Sequence, residues 1–175
     1  MIGLRYLLQH DLALTTPVLR IFLDAVDHRL KARSAGAPEA ARFGAGTLVH
    51  RFGCALNANL HFHCAILHGV FSARNEGVKL HEATALGHED VAAVQRAVRT
   101  RVLRLFARGG FITPATTAEM HRWGHGGGFS LDARVRIEAT DRKGLGNQGQ
   151  GWPCLARRRM QVFPLVFSHC GGRPS

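Results

Sequence analysis

The chain has 175 residues, 46% of them hydrophobic, enough for one domain with its own core and short for two. Its 23 Lys and Arg against 12 Asp and Glu give a formal charge of +11, with Arg far in excess of Lys, a balance that draws polyanions and favours nucleic acid as a partner. No run of about 20 apolar residues could span a bilayer, and the start, MIGLRYLLQHD, has none of the parts of a secretory signal, so a cytoplasmic protein without a membrane partner is expected.

Thr16-Pro17 has the form of an N-cap with proline at the first helical position, and Leu19, Phe22, Leu23, Val26 and Leu30 follow at helical spacing. This helix should end near Lys31 and Arg33, whose charges suit a helix C-terminus, before the small-residue linker SAGAPEAA. Two strands are expected next, TLVHRF at 47–52 and LHFHCAIL at 60–67. Alternation in the second sends Leu60, Phe62, Cys64 and Ile66 to one face and His61, His63, Ala65 and Leu67 to the other. His68-Gly69 reads as the turn that follows, and VKLHEA as a short edge strand.

From 88 to 106, Val91, Val94, Val98, Val102 and Leu105 form one helical stripe, with Arg96, Arg99, Arg104 and Arg108 largely away from it and Gly109-Gly110 as the stop. That arginine face is either a solvated surface or a grip on DNA. FSLDARVRIEA at 129–139 alternates again, Phe129, Leu131, Val135 and Ile137 against Asp132, Arg134, Arg136 and Glu138. The glycines at 126–128 are not followed by Gly-Lys-Ser/Thr, so they form no P-loop. Helices with mainly antiparallel, one-sided strands predict an α+β fold in which helices cover one face of the sheet and the other is open and polar. Residues 1–143 form the expected core. Residues 144–175 hold no Asp or Glu, lose periodicity and carry Arg157-Arg158-Arg159, and are expected to be a basic divergent tail, disordered or read from a shifted frame.

His61 and His63, at i and i+2 on a strand, project side by side and can share one ion. A cation there, with arginines on the same open face, is what phosphodiester cleavage needs, because the metal polarises the scissile phosphate and stabilises developing charge. Two imidazoles leave the coordination shell unfilled, and Asp132, Glu138, His50 and His125 are the candidates for a third ligand. Arg51, Arg134 and Arg136 are candidates for holding DNA. His121 and His125 would pair only if helical, against the surrounding glycines, while His68 falls at the expected turn and His81, His88 and His169 have no partner spacing, so each reads as a solvated histidine. Cys54, Cys64, Cys154 and Cys170 lack C-x-x-C spacing and are expected to be reduced, buried thiols.

HRFGCALNANLHFHCAILHGVF, followed much later by HGGGFSLDARVRIEATDRKG, with LRYLLQHDLAL near the start, resembles the HUH (His-hydrophobe-His) transposases of rolling-circle insertion sequences over roughly residues 3–145. The resemblance implies a ferredoxin-like HUH endonuclease fold, a divalent ion, Mg or Mn, on His61 and His63, and single-stranded DNA as substrate. It also implies strand transfer through a 5′-phosphotyrosine, in which a tyrosine nucleophile splits one difficult exchange into two easier steps. In that family the tyrosine follows the segment matching DRKG, where this chain reads LGNQGQGWPCLARRR. The sole tyrosine, Tyr6, lies before the first long helix and suits a core edge better than catalysis. The family's upstream Cys-rich zinc segment has no counterpart either, so a copy truncated at both ends is expected, inactive alone and able to bind single-stranded DNA. Two alternatives stand beside it: a non-catalytic DNA-binding module that regulates an intact transposase, and a metal-dependent phosphodiesterase that uses water.

Overall fold

The computed structural model describes residues 4–52, 58–124, 128–133, 135–137 and 160–167. Two short elements open the chain, helix α1 (Leu4–His10) and a 3-10 turn (Leu12–Leu14) whose first N–H groups are capped by Asp11, its carboxylate accepting from the Ala13 N–H at 2.9 Å. Helix α2 (Thr15–Arg33) follows directly. It starts one residue before the expected Thr16 cap, because the preceding turn already runs into it, with Leu14 at the N-cap and no side-chain cap bond. Val18, Phe22, Val26 and Leu30 are buried along one stripe, and Lys31 and Arg33 occupy the last turn as expected.

Strands β1 (Arg42–Phe52) and β2 (Ala58–Arg74) pair antiparallel, and β3 (Gly77–Glu82) returns along the far half of β2 through a two-residue turn at Asn75 and Glu76. The expected turn at His68-Gly69 is not one. β2 runs straight through it, with Gly69 at φ +151° opposite Glu82. An added Cβ at Gly69 would sit 2.3 Å from the His81 carbonyl oxygen, so the glycine is there to let β3 approach.

Helices α3 (His88–Arg108) and α4 (Pro114–Arg122) come next. α3 buries Val94, Val98, Val102, Leu103 and Phe106 and stops at Gly109, with Gly110 at φ +73°. α4 is capped by Thr113, whose hydroxyl accepts from the Thr116 N–H at 3.1 Å, with Pro114 in its first turn. The expected continuous strand at 129–139 is instead two, β4 (Phe129–Leu131) and β5 (Val135–Ile137), both paired with β6 (Met160–Phe167). β6 falls inside the segment expected to diverge from the core, yet it lies between β2 and β4 in the sheet. Its run MQVFPLVF is apolar, β-branched and aromatic, which is strand composition whatever its flanks.

The outcome is an α+β fold with a wholly antiparallel sheet in the order β1-β2-β6-β4, β3 pairing with β2 and β5 with β6. Leu60, Phe62, Cys64 and Ile66 of β2, each at most 1% exposed, meet Leu8, Val18, Phe22, Val98 and Phe106 from the helices in one core. Among the described residues no helix is long and apolar enough to cross a membrane.

Candidate metal and nucleic-acid site

Because Leu60, Phe62, Cys64 and Ile66 enter the core, alternation leaves His61 and His63 on the opposite face of β2. The β1 register then decides their neighbour. His50 lies directly across from His61, and Leu48 directly across from His63, so both share the imidazole face. The three rings form a near-equilateral triangle, with centres 5.1 Å apart for His50 and His61, 4.7 Å for His50 and His63, and 4.9 Å for His61 and His63. His50 is exposed and the other two are half-buried.

Three imidazoles bound to one ion through nitrogens at about 2.1 Å would have ring centres roughly 4.5 to 5.2 Å apart at octahedral to tetrahedral angles. The triangle has those dimensions. The ring planes are tilted by 30°, 44° and 60° to one another, and among the described residues no three His, Cys, Asp or Glu side chains form a ready metal-holding group. Closing the set on one ion would need the side chains to reorient, and χ2 of histidine is a soft torsion. Burial pushes the pKa of His63 below its ordinary value, and the neighbouring His50 and His61 push it further the same way, since each would repel a second positive ring. The neutral imidazole favoured by that shift is the form that ligates a cation.

Of the other residues singled out from the sequence, Asp132 is placed elsewhere. Strand β4 ends at Leu131, so alternation does not carry to Asp132, which lines a cleft of about 620 Å³ with Val26 and Leu30 of α2 and Val91 and Val94 of α3, on the helix side of the sheet. Arg51 is exposed on β1 next to His50, at a register shift between the pairs His50 with His61 and Phe52 with Ala58. Arg136 stands on β5 opposite Gln161, whereas Arg134, Glu138 and His125 lie outside the described residues. The open face is also narrower than expected. Ala65 and Leu67 share the parity of the histidines yet are 7% and 8% exposed, and Leu67 packs over Gly44, where a Cβ would come within 2.7 Å of its Cδ1.

Tyr6 is on α1, whose Leu4 and Leu8 pack into the core from the helix side, while its own ring is half-exposed and stacks on His10 with centres 3.8 Å apart. The imidazole triangle is on the other face of the sheet. On the helix side, the buried Asp90 accepts from the Gly87 N–H at 2.8 Å and from Nε of Arg29 and of Arg33. Burial opposes its ionisation, but the Gly87 N–H and the two guanidiniums outweigh that and hold the carboxyl below its usual range. This is a structural anchor between α2 and α3.

A family model described as "Putative transposase" matches residues 44–145, a span that takes in most of β1, all of β2 to β5, α3 and α4, and all three histidines. No curated protein and no solved structure matches the chain.

Proposed function

The chain belongs to the transposase family whose model it matches, and on that premise we propose that it takes part in DNA transposition by holding a divalent cation on His50, His61 and His63 and a single DNA strand across the same face. The observation that carries this reading is the imidazole triangle, in which a residue from β1 completes the pair on β2. The ion would polarise a phosphate oxygen of the bound strand. Around it, this chain's own groups have separable tasks. Phe62, wholly buried between the two histidines in sequence, pins β2 so that the rings project outward. Leu48, 38% exposed and across from His63, offers an apolar shelf beside the rings. Arg51 supplies positive charge at the strand edge.

Imidazole sets suit manganese and the later first-row ions better than magnesium, which prefers oxygen ligands, so Mn is the ion of choice over Mg. The HUH architecture remains the specific form of this proposal, supported by His-hydrophobe-His on a central antiparallel strand with helices behind it. Tyr6, from its place on α1, is not the nucleophile, so this chain by itself holds the strand without forming a phosphotyrosine. The test combines two readouts on the full chain: Mn binding by calorimetry, and binding of a labelled single-stranded oligonucleotide by anisotropy across a salt series. Joint loss of both on changing His61 and His63 to Ala supports the reading. Metal-dependent nicking with free ends would instead favour the water-using phosphodiesterase, and a denaturation-resistant adduct on Tyr6 would overturn the assignment of that residue.

A further inference from the structure

The outer face of α3 is an unusual helix surface. From Val91 to Arg108 it contains five arginines and no acid, its only carboxylates being Glu89 and Asp90 in the first turn. Two of the five are committed: Arg99 donates to the Met120 and Trp123 carbonyls at the end of α4, and Arg101 pairs with Asp24 at 3.1 Å. Arg96, Arg104 and Arg108 are exposed and make no ion pair among the described residues. With the exposed Thr100 they form one i, i+4 ridge, running roughly 18 Å at 1.5 Å per residue.

Arg104 and Arg108 are like charges at i, i+4, a spacing that destabilises a helix, and no acid follows Asp90 on α3 to relieve them. A polyanion laid along the ridge removes the repulsion and releases its own counterions. Within the ridge itself the only ring, Phe106, is fully buried, and the nearest exposed one, Phe111, lies past the end of the helix. Unpaired strands bind through stacking platforms as well as charge, whereas a duplex presents phosphates alone to a rigid row of guanidiniums.

We infer that Arg96, Arg104 and Arg108 form a second DNA contact, a sequence-independent seat for the phosphate backbone of duplex DNA on the helix layer, separate from the imidazole face. The inference rests on the proposed function only in taking DNA as the polyanion. It assigns the duplex beside a single-stranded segment to α3, leaving the strand itself to the far side of the sheet.

The test is anisotropy of a labelled blunt duplex with the full chain over a salt series, comparing the native chain with the triple variant Arg96→Gln, Arg104→Gln, Arg108→Gln. These are exposed positions, and an unchanged thermal melt establishes that the variant folds. Loss of three phosphate contacts lowers the slope of log K against log salt by about 2.7 and weakens binding at low salt at least tenfold. Mn binding stays at the native level in that variant, while His61→Ala and His63→Ala leave duplex binding intact, so the two DNA readings fail separately. An unchanged slope, or no duplex binding by the native chain, overturns the inference. So does a variant that keeps duplex affinity but loses binding to anionic phosphatidylserine vesicles.

Discussion

His50 and His61 face each other across the first strand pair with ring centres 5.1 Å apart, and His63 stands 4.7 Å from His50 on the same face. Three equivalent corners predict three comparable losses. His50→Ala, His61→Ala and His63→Ala should each weaken Mn binding by more than about tenfold, since even outer-shell changes at metal sites cost that much. Calorimetry with Mn, followed by competition with Co and Mg, measures both affinity and preference. An all-imidazole set predicts that Co displaces Mn and Mg does not. If His50→Ala binds Mn as the native chain does, β1 does not contribute a ligand.

Asp90 predicts the acid sensitivity of the fold. Its carboxyl is held below its ordinary value of 3.8, so the folded state binds the proton less readily than the unfolded chain. The stability this contributes is complete above the unfolded value and is lost as pH falls through the folded one. Asp90→Asn leaves two guanidiniums facing a neutral amide. Both arginines are about a third exposed, which places the cost at neutral pH near the lower end of the buried-pair range, about 3 kcal/mol. Urea unfolding from pH 7 to pH 2 should show the native and variant curves converging below pH 4. Parallel curves would mean that Asp90 titrates normally.

Much of the scaffold was legible because burial imposes periodicity. The stripes of α2 and α3 and the alternation of β2 follow from one face meeting the core, and Leu60, Phe62, Cys64 and Ile66 are where alternation puts them. What was not legible depends on contacts between distant segments. Gly69 resembles a turn locally and is a strand residue because β3 needs its missing side chain. The run at 129–139 alternates as one strand but breaks after Leu131, both pieces pairing with a β6 whose polar, glycine-rich flanks concealed it. α4 did carry a signal, Thr113-Pro114, an N-cap followed by proline, but the glycines after it have the composition of a loop. At the site, parity on one strand was enough to pair His61 with His63. Setting His50 beside them required the β1 register, which spacing along the chain does not encode.

Cys64 should be chemically silent in the folded protein. Burial pushes its thiol up to about 11, against a smaller downward pull from the Thr47 hydroxyl at 3.2 Å. At pH 8 only about one molecule in a thousand then carries the thiolate, the form that reacts. Iodoacetamide at pH 8 should leave the Cys64 peptide unmodified until denaturant is added, as peptide mass mapping would record. Rapid labelling of the native chain would mean that the core around Phe62 opens far more often than its packing implies.

Two glycine-to-alanine changes separate strain from crowding along the chain. Gly36 has φ +66° with nothing within 4 Å of an added Cβ, so Gly36→Ala meets only the left-handed backbone penalty, about 1 kcal/mol. Gly69 has φ +151° and also places the new carbon 2.3 Å from the His81 carbonyl oxygen and 3.0 Å from the Glu82 Cα, both on the backbone of the paired strand. Neither neighbour can rotate away. Relief requires β3 to move off β2, breaking the local ladder and the contact between the Ser72 hydroxyl and the His81 ring at 2.9 Å. Gly69→Ala should therefore cost more than about 2 kcal/mol. Hydrogen exchange should show lost protection in 77–82 and little change around His61, at the opposite end of β2. Equal urea midpoints for the two variants would refute the view that a close backbone approach, and not backbone conformation alone, fixes glycine at position 69.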